Sequence, residues 1–151
     1  VATKVLSGGD KLNAALKGIA DRVGREGVVR IGFLENSTYP DGTSVPMIAA
    51  INEFGAPSRG QPPRPFFRRM IASKSGEWPA AIGKNLIATN YDVETTLKRM
   101  GAGIAGQLRQ SIIDLVAPPL APSTIKRKGF DKPLIDQGIM LSSVDYEVET
   151  K

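Results

Sequence analysis

Apolar residues recur at steps of three and four in some stretches of this chain and alternate with polar ones in others; the two periods divide it into helices and strands. Leu12, Leu16, Ile19, Ala20 and Val23 predict an amphipathic helix over residues 10–23 with one buried stripe, Asp10 as its N-cap and Gly24 or Gly27 as its stop. Val29, Ile31 and Phe33 alternate with Arg30 and Gly32, so residues 28–34 read as a strand with one apolar face. Asn, Ser, Thr, Pro, Asp and Gly fill residues 35–46, a mobile loop with Asp41-Gly42 at a turn. A short helix over 46–54 follows, with Pro46 in its first turn, Ile48, Ile51 and Phe54 facing inward, and Gly55 ending it. Residues 66–73 read as helix with Phe66, Phe67, Met70 and Ile71 on the apolar side and Arg68 and Arg69 outside. A second helical piece runs over 78–88, after the break at Gly76 and Pro79.

The longest signal is residues 92–116. Val93, Leu97, Met100, Ile104, Leu108, Ile112 and either Leu115 or Val116 form one sustained stripe, which makes this helix the spine of the fold. Pro118-Pro119 ends it, and residues 122–129 read as a loop with a basic helical turn. Val144, Tyr146 and Val148 alternate with Asp145, Glu147 and Glu149, a terminal strand able to pair with residues 28–34. The expected fold is one α+β domain: a small antiparallel sheet packed by several helices, one of them long, with extended loop arms at about 35–46, 55–65 and 117–133.

With 151 residues and 41% hydrophobic content the chain suits a single soluble core, and no apolar run approaches the roughly 20 residues of a membrane span. The first ten residues lack the charged and apolar regions of a signal peptide. There is no cysteine and no histidine, which removes disulfides, thiolate chemistry, imidazole bases and the usual zinc or haem ligands.

Charge is uneven. Residues 1–75 hold 11 Lys/Arg against 6 Asp/Glu, whereas residues 76–151 hold 9 of each. Arg59, Arg64, Arg68, Arg69 and Lys74 follow one another with no acid between them, and Lys126, Arg127, Lys128 and Lys132 form a second basic knot. Such clusters serve either as solvated faces or as attachment to phosphates or acidic partners.

No catalytic constellation emerges. Gly101-Ala-Gly-Ile-Ala-Gly106 matches a dinucleotide-binding string, but a helix rather than a strand leads into it, so it reads as a helix face that another backbone approaches closely. Gly83-Lys84 is followed by Asn85 where a phosphate-binding loop needs Ser or Thr. Ser123 with Lys126 reads as a helix cap rather than a nucleophile and base, and nothing in the sequence brings Glu53 and Asp136 together. No cofactor or metal is expected.

The most distinctive stretch is residues 53–67, where Gly55 leads into a loop carrying Pro62, Pro63 and Pro65, and Arg64, Phe66 and Phe67 follow. Prolines stiffen the backbone and remove amide donors, so this segment reads as a rigid arm for holding a neighbour. Three motifs in order resemble the head–tail joining and tail-completion proteins of long-tailed bacteriophages. They are Ala49-Ala-Ile-Asn-Glu-Phe-Gly55 with Pro63-Arg-Pro-Phe-Phe67, then Pro118-Pro-Leu-Ala-Pro-Ser-Thr-Ile-Lys-Arg-Lys-Gly129, then Lys132-Pro-Leu-Ile-Asp-Gln-Gly138 leading to Leu141-Ser-Ser. The family often carries Thr where this chain has Gln137.

The resemblance implies a structural virion protein and not an enzyme, made in the host bacterial cytoplasm and located in the neck or upper tail. It would act as copies of itself in a ring around the DNA channel, next to neck, portal-side and tail proteins, with no membrane partner. On this reading Glu53, Phe54 and Gly55 anchor the root of the arm. Arg64, Pro65, Phe66, Phe67 and Arg68 meet the next subunit. Pro119, Pro122 and Ile125 belong to a second contact arm, and Lys126, Arg127, Lys128 and Lys132 face DNA or acidic partners. Assembly would be templated, the arms becoming ordered only when a ring presents their docking sites. The competing reading is a non-specific DNA-binding module using the same basic clusters.

Overall fold

The computed structural model describes residues 8–116, 118–120, 122–129 and 138–151. In chain order these form α1 (Gly9–Val23), β1 (Gly27–Phe33), α2 (Val45–Phe54), α3 (Phe66–Lys74), α4 (Trp78–Ala88), α5 (Val93–Asp114), α6 (Pro122–Lys128), α7 (Ile139–Ser142) and β2 (Val144–Thr150). The architecture is α+β. The Asp92 side chain caps α5 by accepting from the Thr95 N–H at 2.9 Å, and the helix then runs for 22 residues, about 33 Å. Its inward stripe, Met100, Ile104, Leu108 and Ile112, is buried, as the spacing predicts, and continues into Leu115 rather than Val116, which is exposed.

β1 and β2 pair antiparallel in the register Arg30↔Glu147 and Ile31↔Tyr146. The expected pairing of the terminal strand with the first is therefore present. A Cβ on Gly27 would meet Leu97 and Val93, so this face of the sheet lies on α5; strand alternation adds Val29, Ile31 and Phe33 to it. Tyr146 lies across Gly101 so closely that a Cβ there would fall 2.3 Å from the ring. The close approach expected along Gly101–Gly106 is thus made by a side chain and only at Gly101; Gly103 and Gly106 face open space. The outer face carries Val28, Arg30 and Gly32 opposite Glu149, Glu147 and Asp145.

Two expectations about helix faces fail for physical reasons. α1 has no buried residue: Leu12, Leu16 and Val23 are 60%, 54% and 42% exposed. Only Gly24 to Glu26 separate it from β1; α5 occupies the inner face of the sheet, and α1 does not fold back over the outer one. In α2 the buried stripe is Val45, Ala49 and Glu53, and Phe54 points outward. That rotation follows from the anchoring of Glu53 described below.

Two of the three expected arms are closed by local hydrogen bonds, and the third, 117–133, lies partly outside the described residues. Residues 37–45 make a hairpin held by Tyr39 N–H to Thr43 O and Val45 N–H to Ser37 O, both at 2.9 Å, with Asp41 accepting from the Thr43 N–H at 2.9 Å. Residues 56–61 close on themselves through Ala56 and Gln61, which exchange backbone hydrogen bonds of 2.9 and 3.1 Å around a 3-10 turn at Pro57–Arg59. Backbone hydrogen bonds that strands would otherwise satisfy are met locally, so neither segment is an extended arm.

Candidate functional site

α2 begins at Ser44, whose hydroxyl accepts from the Met47 N–H at 3.4 Å, and ends at Gly55. Gly55 has φ 78°, and a Cβ on it would lie 2.8 Å from the Pro63 nitrogen, so this corner requires glycine. The chain then returns alongside the helix end it has just left. The Gln61 amide donates to Asn52 Oδ1 at 3.1 Å, and the Arg64 N–H donates to the Asn52 carbonyl at 2.6 Å. This brings the start of α3 next to Glu53.

Pro65 precedes α3 and has no side-chain acceptor, leaving the first N–H groups of that helix without a cap of their own. Glu53 supplies one from the neighbouring helix. Its Oε2 accepts from the Phe67 N–H at 2.9 Å, its Oε1 from the Arg68 N–H at 3.2 Å and from Arg68 Nε at 2.7 Å. Arg68 Nη2 also donates to the Glu53 carbonyl at 3.0 Å. A buried carboxylate is thus met by the positive end of a helix and by a cation, the environment in which burial of charge is tolerated.

Turning Glu53 inward turns Phe54 outward. Phe54 is 65% exposed and Met47, two turns earlier, 51%. The Arg68 guanidinium sits 5.0 Å from the centre of the Phe54 ring, within cation–π range. α2 therefore has inverted polarity, its one charged side chain buried and large apolar ones in solvent.

Several proposed contact residues have internal roles instead. Phe66 is 1% exposed, packs edge-on against Phe33 with ring centres 6.0 Å apart, and accepts at its carbonyl from Ser111 Oγ at 2.7 Å. It is a core residue and offers nothing to a neighbour. Arg64 is buried and clamps the chain beyond α5: its Nε and Nη2 donate to the carbonyls of Pro118 and Pro119, both at 3.4 Å. Burial lowers its pKa from the usual value, though a guanidinium remains charged. Glu53 is likewise spent inside the chain, and Gly55 shapes the corner. Pro65 and Phe67 are half-buried, the latter packed on the core.

Phe54 and Arg68 stay accessible, as do Pro119, Pro122, Lys126 and Arg127; Ile125 is half-buried. Residues 122–128 form the full helix α6 rather than a single turn in a loop, and Lys128 ends it. Lys132 lies outside the described residues. The signal that could have exposed the Glu53 cap was available: an acid just before a helix-ending glycine, and a following helix whose N-cap position is proline. Among the described residues no group of three acidic side chains is placed to hold a metal ion, and no helix is long and apolar enough to cross a membrane. Comparison with protein-family models, with curated proteins and with solved structures returns no match to this chain.

Proposed function

We propose that the chain is a structural subunit of a tailed-bacteriophage neck, joining head to tail as one copy in a ring around the DNA channel. The observation that carries this reading is the inverted polarity of α2: Glu53 fixes two helices from within, and Met47, Phe54 and Arg68 form a rigid surface rich in the residue types that dominate interfaces. The resemblance of the motifs around Glu53, Pro118 and Gly138 supplies the kind of partner. Pre-formed hydrogen bonds in the loops alter the mechanism suggested by sequence. A rigid face loses little entropy on docking, so recognition needs no disorder-to-order transition of residues 37–45 or 56–61.

The test is complementation of particles that lack the protein. Phe54→Ala combined with Met47→Ala should fold normally and fail to restore head–tail joining; full restoration by the double variant overturns the assignment of this face. A second reading, non-specific DNA binding, draws on the exposed Lys126 and Arg127 of α6. It requires affinity for duplex DNA that falls steeply with salt.

A further inference from the structure

The apolar stripe of α1, exposed at Leu12, Leu16 and Val23 and half-buried at Ile19, is complementary to the outer face of the sheet. Leu12, Leu16, Ile19 and Val23 fall on one side of α1 at helical spacing, with Lys11 and Arg22 on its shoulder and Asp10 and Asp21 on the opposite side. A 15-residue helix containing two glycines and no buried side chain is marginal by itself in water, so a covering surface would stabilise it. The sheet offers a shallow groove of about 820 Å³ lined by Leu34 and Gly32, by three acids, Glu35, Asp145 and Glu147, and by one cation, Arg30. Gly32 leaves its floor open, with no atom within 4 Å of where a Cβ would stand. Glu149 is paired with Arg30 at 2.7 Å, whereas Glu35, Asp145 and Glu147 make no ion pair among the described residues.

We infer that α1 of one copy docks in the acidic sheet groove of the next copy of this chain. Charge selects this pairing over the symmetric ones. Two α1 stripes face to face would oppose Lys11 and Arg22 to one another, and two sheet faces would oppose their acids. Helix to groove instead sets Lys11 and Arg22 against Glu35, Asp145 and Glu147, with the stripe over Leu34 and the open floor at Gly32. A contact between two different surfaces is head-to-tail, and repetition closes a ring or extends a filament. Closure as a ring rests on the neck reading above, and the docking contact itself does not.

The chain has no cysteine, so introduced thiols report the contact cleanly. Leu16→Cys and Gly32→Cys chains are mixed under mild oxidation and the disulfide between unlike chains is followed with time. Both sites are open to solvent or have free space, so neither change should disturb folding. The Leu16→Cys mixture should crosslink about tenfold faster than an Asp21→Cys control, because docking raises the local thiol concentration. Lys11→Glu with Arg22→Glu should abolish that excess, and Asp145→Lys with Glu147→Lys in the Gly32→Cys chain should restore it. Equal rates for Leu16→Cys and Asp21→Cys, or Leu16→Cys pairing chiefly with itself, would overturn the docking. So would flotation of the native protein, but not Leu16→Asp, with phosphatidylglycerol vesicles, which would assign the stripe to lipid. If particles lacking the protein acquire a ring that does not crosslink, the docking fails and the neck reading stands. If crosslinking holds and particles ignore the protein, the reverse is true.

Discussion

Glu53 caps a helix to which it does not belong: its Oε2 accepts the main-chain N–H of Phe67, fourteen residues on, at 2.9 Å. That one hydrogen bond, with those from Arg68, fixes the angle between α2 and α3 and decides which side chains face solvent. Glu53→Ala would leave helix-terminal N–H groups and a partner cation without their acceptor, and should lower stability by about 2–3 kcal/mol. Arg68→Ala removes only the exposed half of the pair, so its cost should stay below about 1 kcal/mol. Urea unfolding of both variants checks the ordering, with unchanged m-values as the sign that the folded state is intact.

Phe66 and Phe54 separate core from surface. Phe66→Ala empties a fully buried site beside Phe33 and should cost about 3–5 kcal/mol. Phe54→Ala should change stability by no more than about 0.5 kcal/mol and yet impair head–tail joining. Thermal unfolding measured beside particle complementation distinguishes the two.

The glycines of α5 should respond with opposite signs. Gly101→Ala forces a Cβ against the Tyr146 ring and should destabilise by about 1–3 kcal/mol. Gly103→Ala meets nothing within 4 Å and should stabilise by up to about 1 kcal/mol through helix propensity. Chemical denaturation of the two variants in parallel reads the difference.

Asp41 gives a pH marker for the hairpin. The Thr43 N–H donating to its carboxylate holds its pKa below the ordinary value. Its contribution is therefore present above the unfolded pKa, about 3.9, and is lost as pH falls through the lower folded value. In an NMR titration the Thr43 amide shift should follow a midpoint below that of an unstructured aspartate, and Asp41→Asn should abolish the transition.

Periodicity made most of the scaffold legible. The stripe from Met100 to Ile112 is apolar at every inward step, and Val144, Tyr146 and Val148 alternate cleanly, so the spine and both strands could be read directly. Legibility failed where a tertiary hydrogen bond overrode the local pattern. Ile48, Ile51 and Phe54 look like the inner face of α2, but Glu53 gains more from the uncapped end of α3 than Phe54 would gain from burial, and the helix turns accordingly. The candidate site is hidden from the sequence for the same reason. Arg64 and Phe66 stand in a proline-rich segment that resembles an exposed arm, whereas the chain doubles back at Gly55 and buries both. α1 is the opposite case: its amphipathic pattern is real, but an apolar stripe cannot reveal whether its partner lies in the same chain.

Mass is the direct test of ring formation on the particle. Light scattering on the purified protein, alone and then with purified particles lacking it, should give at most weak head-to-tail association in solution and an ordered ring on the particle. A monomer that ignores the particles and instead binds duplex DNA would contradict the account.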